Sequence, residues 1–116
     1  MITTNEIYWL AGLIEGEGCF SWQKKGGLFI YLGMTDLDVL EYASLLFDRK
    51  VYTIRRHPPR KPLGVVRIAG SRAAGWMMTL YPLLGARRRA RIRELLTQWR
   101  QVPAAKGQRA RLWEHT

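Results

Sequence analysis

The stretch Leu10-Ala11-Gly12-Leu13-Ile14-Glu15-Gly16-Glu17-Gly18 constrains this chain more than any other. Residues 7–14 have no polar face, so a helix built from them is expected to be buried on nearly every side. That helix runs into an acidic, glycine-flanked turn, which brings Glu15 and Glu17 to one spot. Upstream, Thr3-Thr4-Asn5-Glu6 reads as a capping box, with Thr3 capping and Glu6 reaching back. Gly16 and Gly18 supply the stop.

Beyond the turn the pattern changes period. Cys19 to Lys24 alternates as a strand, Lys25-Gly26-Gly27 is a hairpin turn, and Leu28 to Met34 is the returning strand. Phe20, Trp22, Leu28, Ile30, Leu32 and Met34 fall on one face; Ser21, Gln23, Lys25, Phe29, Tyr31 and Gly33 fall on the other. A second helix starts at Thr35-Asp36-Leu37-Asp38, with Val39, Leu40, Ala43, Leu46 and Phe47 as its apolar stripe. Residues 51–56 and 64–69 form a second strand pair around a loop stiffened by three prolines. Gly70-Ser71 caps a third helix that runs to about Leu80 and is ended by Pro82, and a fourth covers 86–101. The order is αββαββαα, an α+β domain over residues 1–102 with antiparallel strand pairs, followed by a basic tail at 103–116.

Charge narrows the function. Residues 1–48 carry two basic and seven acidic side chains, whereas 49–116 carry seventeen basic and two acidic. Such a division points to a polyanion, most often nucleic acid. No apolar run is long enough for a membrane span and the N-terminus lacks the basic start of a signal peptide, so a cytoplasmic protein is expected. One cysteine and two histidines leave no internal disulfide and no structural zinc site. Two carboxylates beside a glycine turn in a basic protein suit a divalent cation with oxygen ligands. The alternative is a pair of solvated acids at a helix end, where the macrodipole mildly disfavours negative charge.

The nine-residue stretch resembles the motif that names the LAGLIDADG homing endonucleases. Leu10, Ala11, Gly12, Leu13, Ile14 and Gly18 coincide, Glu15 and Glu17 stand for Asp, and Gly16 for Ala. Met34-Thr35-Asp36 and Leu80-Tyr81-Pro82-Leu83-Leu84, with the arginines after it, are similar to that family's second-helix start and its segment before the last helix. The resemblance spans residues 7–101 and implies four antiparallel strands in a saddle over duplex DNA. It implies Mg²⁺ or Mn²⁺ at the last acid, Glu17, beside the Gly16 backbone carbonyl. It also implies that Asp36 orients the attacking water and that Arg87 reaches the water network. Asp36 reads equally well as a residue placed for the helix macrodipole.

The chain has one motif, and cutting both strands requires two ligand sets, so two chains must meet. Gly12 and Gly16 lie four apart with Ala11 beside them, allowing backbones to approach as in membrane GxxxG pairs. Tyr8, Ala11, Gly12, Glu15 and Gly16 are therefore assigned to a two-fold seam. On the DNA side the candidates are Ser21, Gln23, Lys25, Phe29, Tyr31 and Arg67, together with Arg56 or, on the other choice of face, Arg55. Arg60 and Lys61 from the proline loop join the DNA-side candidates, and Arg88 and Arg91 from the run 87–93 are expected mostly on phosphate. The expected function is a homodimeric, metal-dependent homing endonuclease acting on duplex DNA, with no membrane partner and no small-molecule substrate. The rival is a nucleic-acid-binding protein of the same fold, an intron maturase or transcription regulator, that does not cut.

Overall fold

The computed structural model describes residues 2–24 and 27–102. Lys25 and the 103–116 tail, both singled out above, lie outside the described residues. The elements are α1 (Thr4–Glu17), β1 (Gly18–Gln23), β2 (Gly27–Met34), α2 (Leu37–Phe47), β3 (Tyr52–Ile54), β4 (Leu63–Ala69), α3 (Gly70–Leu80), a 3₁₀ turn (Tyr81–Leu83) and α4 (Ala86–Gln101).

The expected capping box is present. The Glu6 amide donates to Thr3 Oγ1 at 3.1 Å, and the Thr3 amide donates to Glu6 Oε1 at 2.7 Å. α1 nevertheless continues through Gly16 to Glu17 instead of stopping at the first glycine. It is also less enclosed than its composition implies. Leu10, Ala11 and Ile14 are buried, while Tyr8, Trp9 and Gly12 are exposed. One face of the helix joins the core and the opposite face meets solvent, so Ala11, expected at the seam, belongs instead to the chain's own interior.

The four strands lie in the order β1-β2-β4-β3, all pairs antiparallel. Phe20, Leu28, Ile30, Leu32, Val66 and Ile68 point to the helical face and form the core with Leu40, Phe47, Met77, Leu80, Ile92 and Leu95. α2 presses so closely on β4 that a Cβ at Gly64 would lie 2.5 Å from Leu40 Cδ2 and 2.7 Å from Leu37 Cδ2. Position 64 therefore faces the helices, and residues 63, 65 and 67 face away from them.

Two expectations change. β3 is three residues long, not six, because it is an edge strand bonded only to β4 and runs into a segment whose prolines lack ladder donors. Arg55 and Arg56 consequently lie beyond the strand. The third helix takes Ala69 at its cap position with no side-chain hydrogen bond, so Ser71 does not cap it. Among the described residues no helix is long and apolar enough to cross a membrane.

Candidate metal site and nucleic-acid interface

The acid turn sits where α1 becomes β1. Gly18 opens β1 opposite Leu32 of β2, so Glu17 lies level with the end of β2, just before Asp36. α4 starts at the same place, since the Gly85 amide donates to Glu15 Oε1 at 2.5 Å. Thus the backbone gathers Glu17, Asp36 and Arg87 at one end of the sheet.

Their environments differ from that of Glu15. Glu17, Asp36 and Arg87 are exposed, and none has a side-chain hydrogen bond or ion pair among the described residues. Asp36 occupies the N-cap position of α2 without capping it, which leaves its carboxylate uncommitted. Glu15 is committed: besides Gly85 it faces Arg88, whose Nε is 3.7 Å from Glu15 Oε2. Arg88 also donates Nη2 to the Glu15 carbonyl at 3.1 Å and Nη1 to the Gly18 carbonyl, and its side chain is only 13% exposed. Its guanidinium lies 5.8 Å from the Phe20 ring centroid.

The two helix ends therefore cap each other. A carboxylate from the last turn of α1 occupies the positive end of α4, and a guanidinium from the first turn of α4 occupies the negative end of α1. Two expectations are corrected by this arrangement. Arg88 is directed into the protein and away from phosphate, and Glu15 is directed to α4 and away from a seam. The lone clue in the sequence was an arginine run too dense for one surface.

A divalent cation fits the turn. The carbonyls of Ile14, Glu15 and Gly18 accept hydrogen bonds, but none reaches the Gly16 carbonyl among the described residues. An unpartnered oxygen beside an unpartnered carboxylate, at the negative end of a helix, is a suitable donor set for a hard cation. Among the described residues no group of three His, Cys, Asp or Glu gathers into a metal cluster. One chain offers part of a coordination shell.

The outer face of the sheet follows from the register. Ser21 faces Phe29, Tyr31 faces Arg67, and Tyr52 faces Val65. Arg67 Cζ stacks 4.4 Å from the Phe29 ring centroid and Nη2 donates to Gln23 Oε1 at 2.5 Å, so three expected DNA-side residues form one unit. Arg55, Arg60 and Lys61 are exposed around the proline loop. Arg56 Nε instead braces that loop on the Lys61 carbonyl at 2.9 Å. Arg91, expected on phosphate, is half-buried; Nε donates to the Phe20 carbonyl at 3.2 Å and Nη1 pairs with Glu94. Tyr8, Gly12 and Gly16 line an exposed strip of α1, where a Cβ on either glycine would meet nothing within 4 Å. Sequence reasoning missed Tyr52 and Ile54, which the short β3 places on the outer face.

Residues 4–76 match the family model of the LAGLIDADG-like domain. No curated protein matches the chain. Solved structures do. The homing endonuclease I-CvuI bound to its target in the presence of Ca²⁺ is 16% identical, covering 88% of this chain and 70% of that one, with a TM-score of 0.67. The intron-encoded homing endonuclease I-CeuI, complexed with DNA, is 16% identical over 86% of this chain and 56% of its own, at 0.56. The LAGLIDADG meganuclease I-AabMI, bound to uncleaved DNA, is 21% identical over 83% and 36%, also at 0.56. At these identities the likeness is one of fold.

Proposed function

Because the chain belongs to the LAGLIDADG-like domain family, we propose that it is a homing endonuclease that binds duplex DNA and hydrolyses one phosphodiester per strand. One observation carries this reading. Among the described residues the Glu17 carboxylate and the Gly16 carbonyl stand unpartnered at the end of α1, at one end of a sheet bordered by Arg55, Arg60 and Lys61. Of the relatives named above, I-CvuI was solved with its target and I-AabMI and I-CeuI with DNA, which is consistent with a nucleic-acid substrate here.

In this reading Glu17 and Gly16 hold Mg²⁺ or Mn²⁺, which when bound neutralises phosphate charge and lowers the pKa of water. The chain's own residues do the rest. Asp36 accepts a hydrogen bond from the attacking water and orients it beside the scissile phosphate, and Arg87 offers fixed positive charge to the phosphate oxygens. The reciprocal capping of Glu15 and Arg88 fixes the turn that carries Glu17, so that the carboxylate is held before substrate arrives. Two copies meet along Tyr8, Gly12 and Gly16, supplying the second acid for the second strand. A cytoplasmic location fits such a substrate.

The test is incubation of the protein with Mg²⁺ or Mn²⁺ and a library of duplexes, followed by sequencing of cleaved ends. Cleavage at a roughly palindromic site is expected. Glu17→Gln should abolish it while holding affinity within about tenfold, roughly 1.4 kcal/mol. Site-specific binding without cleavage by the parent would favour a binding-only regulator or maturase, and full cleavage by the variant would displace the metal assignment.

A further inference from the structure

The outer face of the sheet is chemically divided along its strands. Toward the β1–β2 hairpin lie Gln23, then Ser21 with Phe29 and Ala69, then Tyr31 with Arg67. Toward the acid turn the next rung is Gly33, Val65 and Tyr52, and the last is Leu63 with Ile54. Gln23, Ser21 and Arg67 stand on the hairpin side. On the acid-turn side the polar side-chain groups of these rungs, among the described residues, are the hydroxyls of Tyr52 and of Tyr31, whose ring leans over Gly33.

This apolar half is accessible. Tyr52 is 56% exposed and Ile54 48%. Val65, at 4%, is not available for contact. Tyr31 does not stand upright either, since a Cβ at Gly33 would lie 3.0 Å from its ring. Tyr52 and Ile54 are therefore the most exposed side chains of these two rungs. Their rungs continue directly from that of Arg67, and Arg55, Arg60 and Lys61 follow β3 in the chain.

We infer that Tyr52 and Ile54 select thymine through its C5-methyl group, in the part of each half-site nearest the cut. The inference rests on the duplex-binding reading above and adds its sequence preference. Thymine methyl is the one apolar group that a base pair presents in the major groove. A G·C pair pressed against Tyr52 or Ile54 would lose water from donors and acceptors that neither side chain replaces. Two residues of strand advance about 6.6 Å and a base pair about 3.4 Å, so the two methyl contacts fall about two base pairs apart. Arg67, stacked on Phe29 and held by Gln23, reads a neighbouring pair toward the outside of the half-site.

The experiment is a binding selection over randomised half-sites with Ca²⁺, followed by single thymine-to-uracil replacements in the selected duplex. Uracil keeps every hydrogen-bonding group and lacks the methyl. Two pairs of mirrored thymines are expected, each weakening parent binding about fourfold as uracil, the equivalent of roughly 0.8 kcal/mol for one buried methyl. Ile54→Ala should remove the methyl sensitivity at one mirrored pair and Tyr52→Ala at the other, with Arg67→Ala altering neither. The parent comparison needs no variant to fold. A selected site with G·C at those positions, or equal binding of uracil and thymine, overturns the inference while leaving the endonuclease reading intact. Absence of any selective duplex binding, including a preference for single-stranded RNA, overturns both.

Discussion

Arg88 and Glu15 are bound twice over. The guanidinium faces the carboxylate at 3.7 Å and also donates to the carbonyl of the same residue at 3.1 Å. With its further bond to the Gly18 carbonyl, Arg88 brackets Gly16 and Glu17 from both sides.

Replacing Arg88 by Met should therefore act on stability first. Two carbonyls lose a charged donor, and Glu15 loses its counter-ion, although that carboxylate is partly solvated. A loss of about 2–4 kcal/mol in urea denaturation, without a change in m-value, is expected. A loss under about 0.5 kcal/mol would return Arg88 to the class of surface arginines.

Arg87 should behave in the opposite way. Arg88, Arg89, Arg91 and Arg93 each donate to a protein acceptor, to Gly18, Leu84, Phe20 and Tyr81 respectively. Arg87 has none among the described residues. Arg87→Met should leave unfolding within about 0.5 kcal/mol of the parent and lower the slope of log K against log salt by roughly one. Titration of duplex binding at several salt concentrations checks this, and an unchanged slope would remove Arg87 from the phosphate path.

Gly12→Leu separates folding from assembly. A Cβ at position 12 meets nothing within 4 Å, and leucine is a better helix former than glycine, so the variant should be at least as stable as the parent. If two copies pack along this strip, light scattering should show two chains for the parent and mostly one for the variant. A monomeric parent that still cuts both strands would contradict the seam.

The opposite end of α1 carries a pH response. The Thr3 backbone amide and the Tyr42 hydroxyl hold the Glu6 carboxyl below its ordinary 4.5. A depressed folded value stabilises the protein above the ordinary value, and that contribution is lost as pH falls through the folded one. Between about pH 5 and pH 3 the parent's melting temperature should therefore fall more steeply than that of Glu6→Gln. Parallel curves would mean that the capping box contributes nothing that titrates.

What was legible in the sequence was local. The capping box needs only residues 3–6, the alternation of 19–24 and 28–34 fixes two strands, and the motif places Glu17 at a helix end. The face of α1 was not legible, because a helix apolar all round carries no mark separating Ala11, turned inward, from Gly12, turned out. Arg88 was read as surface for a related reason. Its partners are some 70 residues away in the chain, and nothing beside it in the sequence signals them. β3 was read too long because residues 51–56 have strand composition, whereas strand length is set by the partner available across the ladder.

The strand order also governs what a ribosome exposes. β2 is paired with β1 as soon as the hairpin closes, but its other side waits for β4, since Phe29 pairs with Ala69 and Met34 with Gly64. Throughout synthesis of α2, β3 and the proline loop, Leu28, Ile30 and Leu32 belong to a strand with one open edge. An edge of that kind is a template for a neighbouring nascent chain. The interval between the two halves of the sheet is thus the period in which the growing chain is most open to pairing with a neighbour.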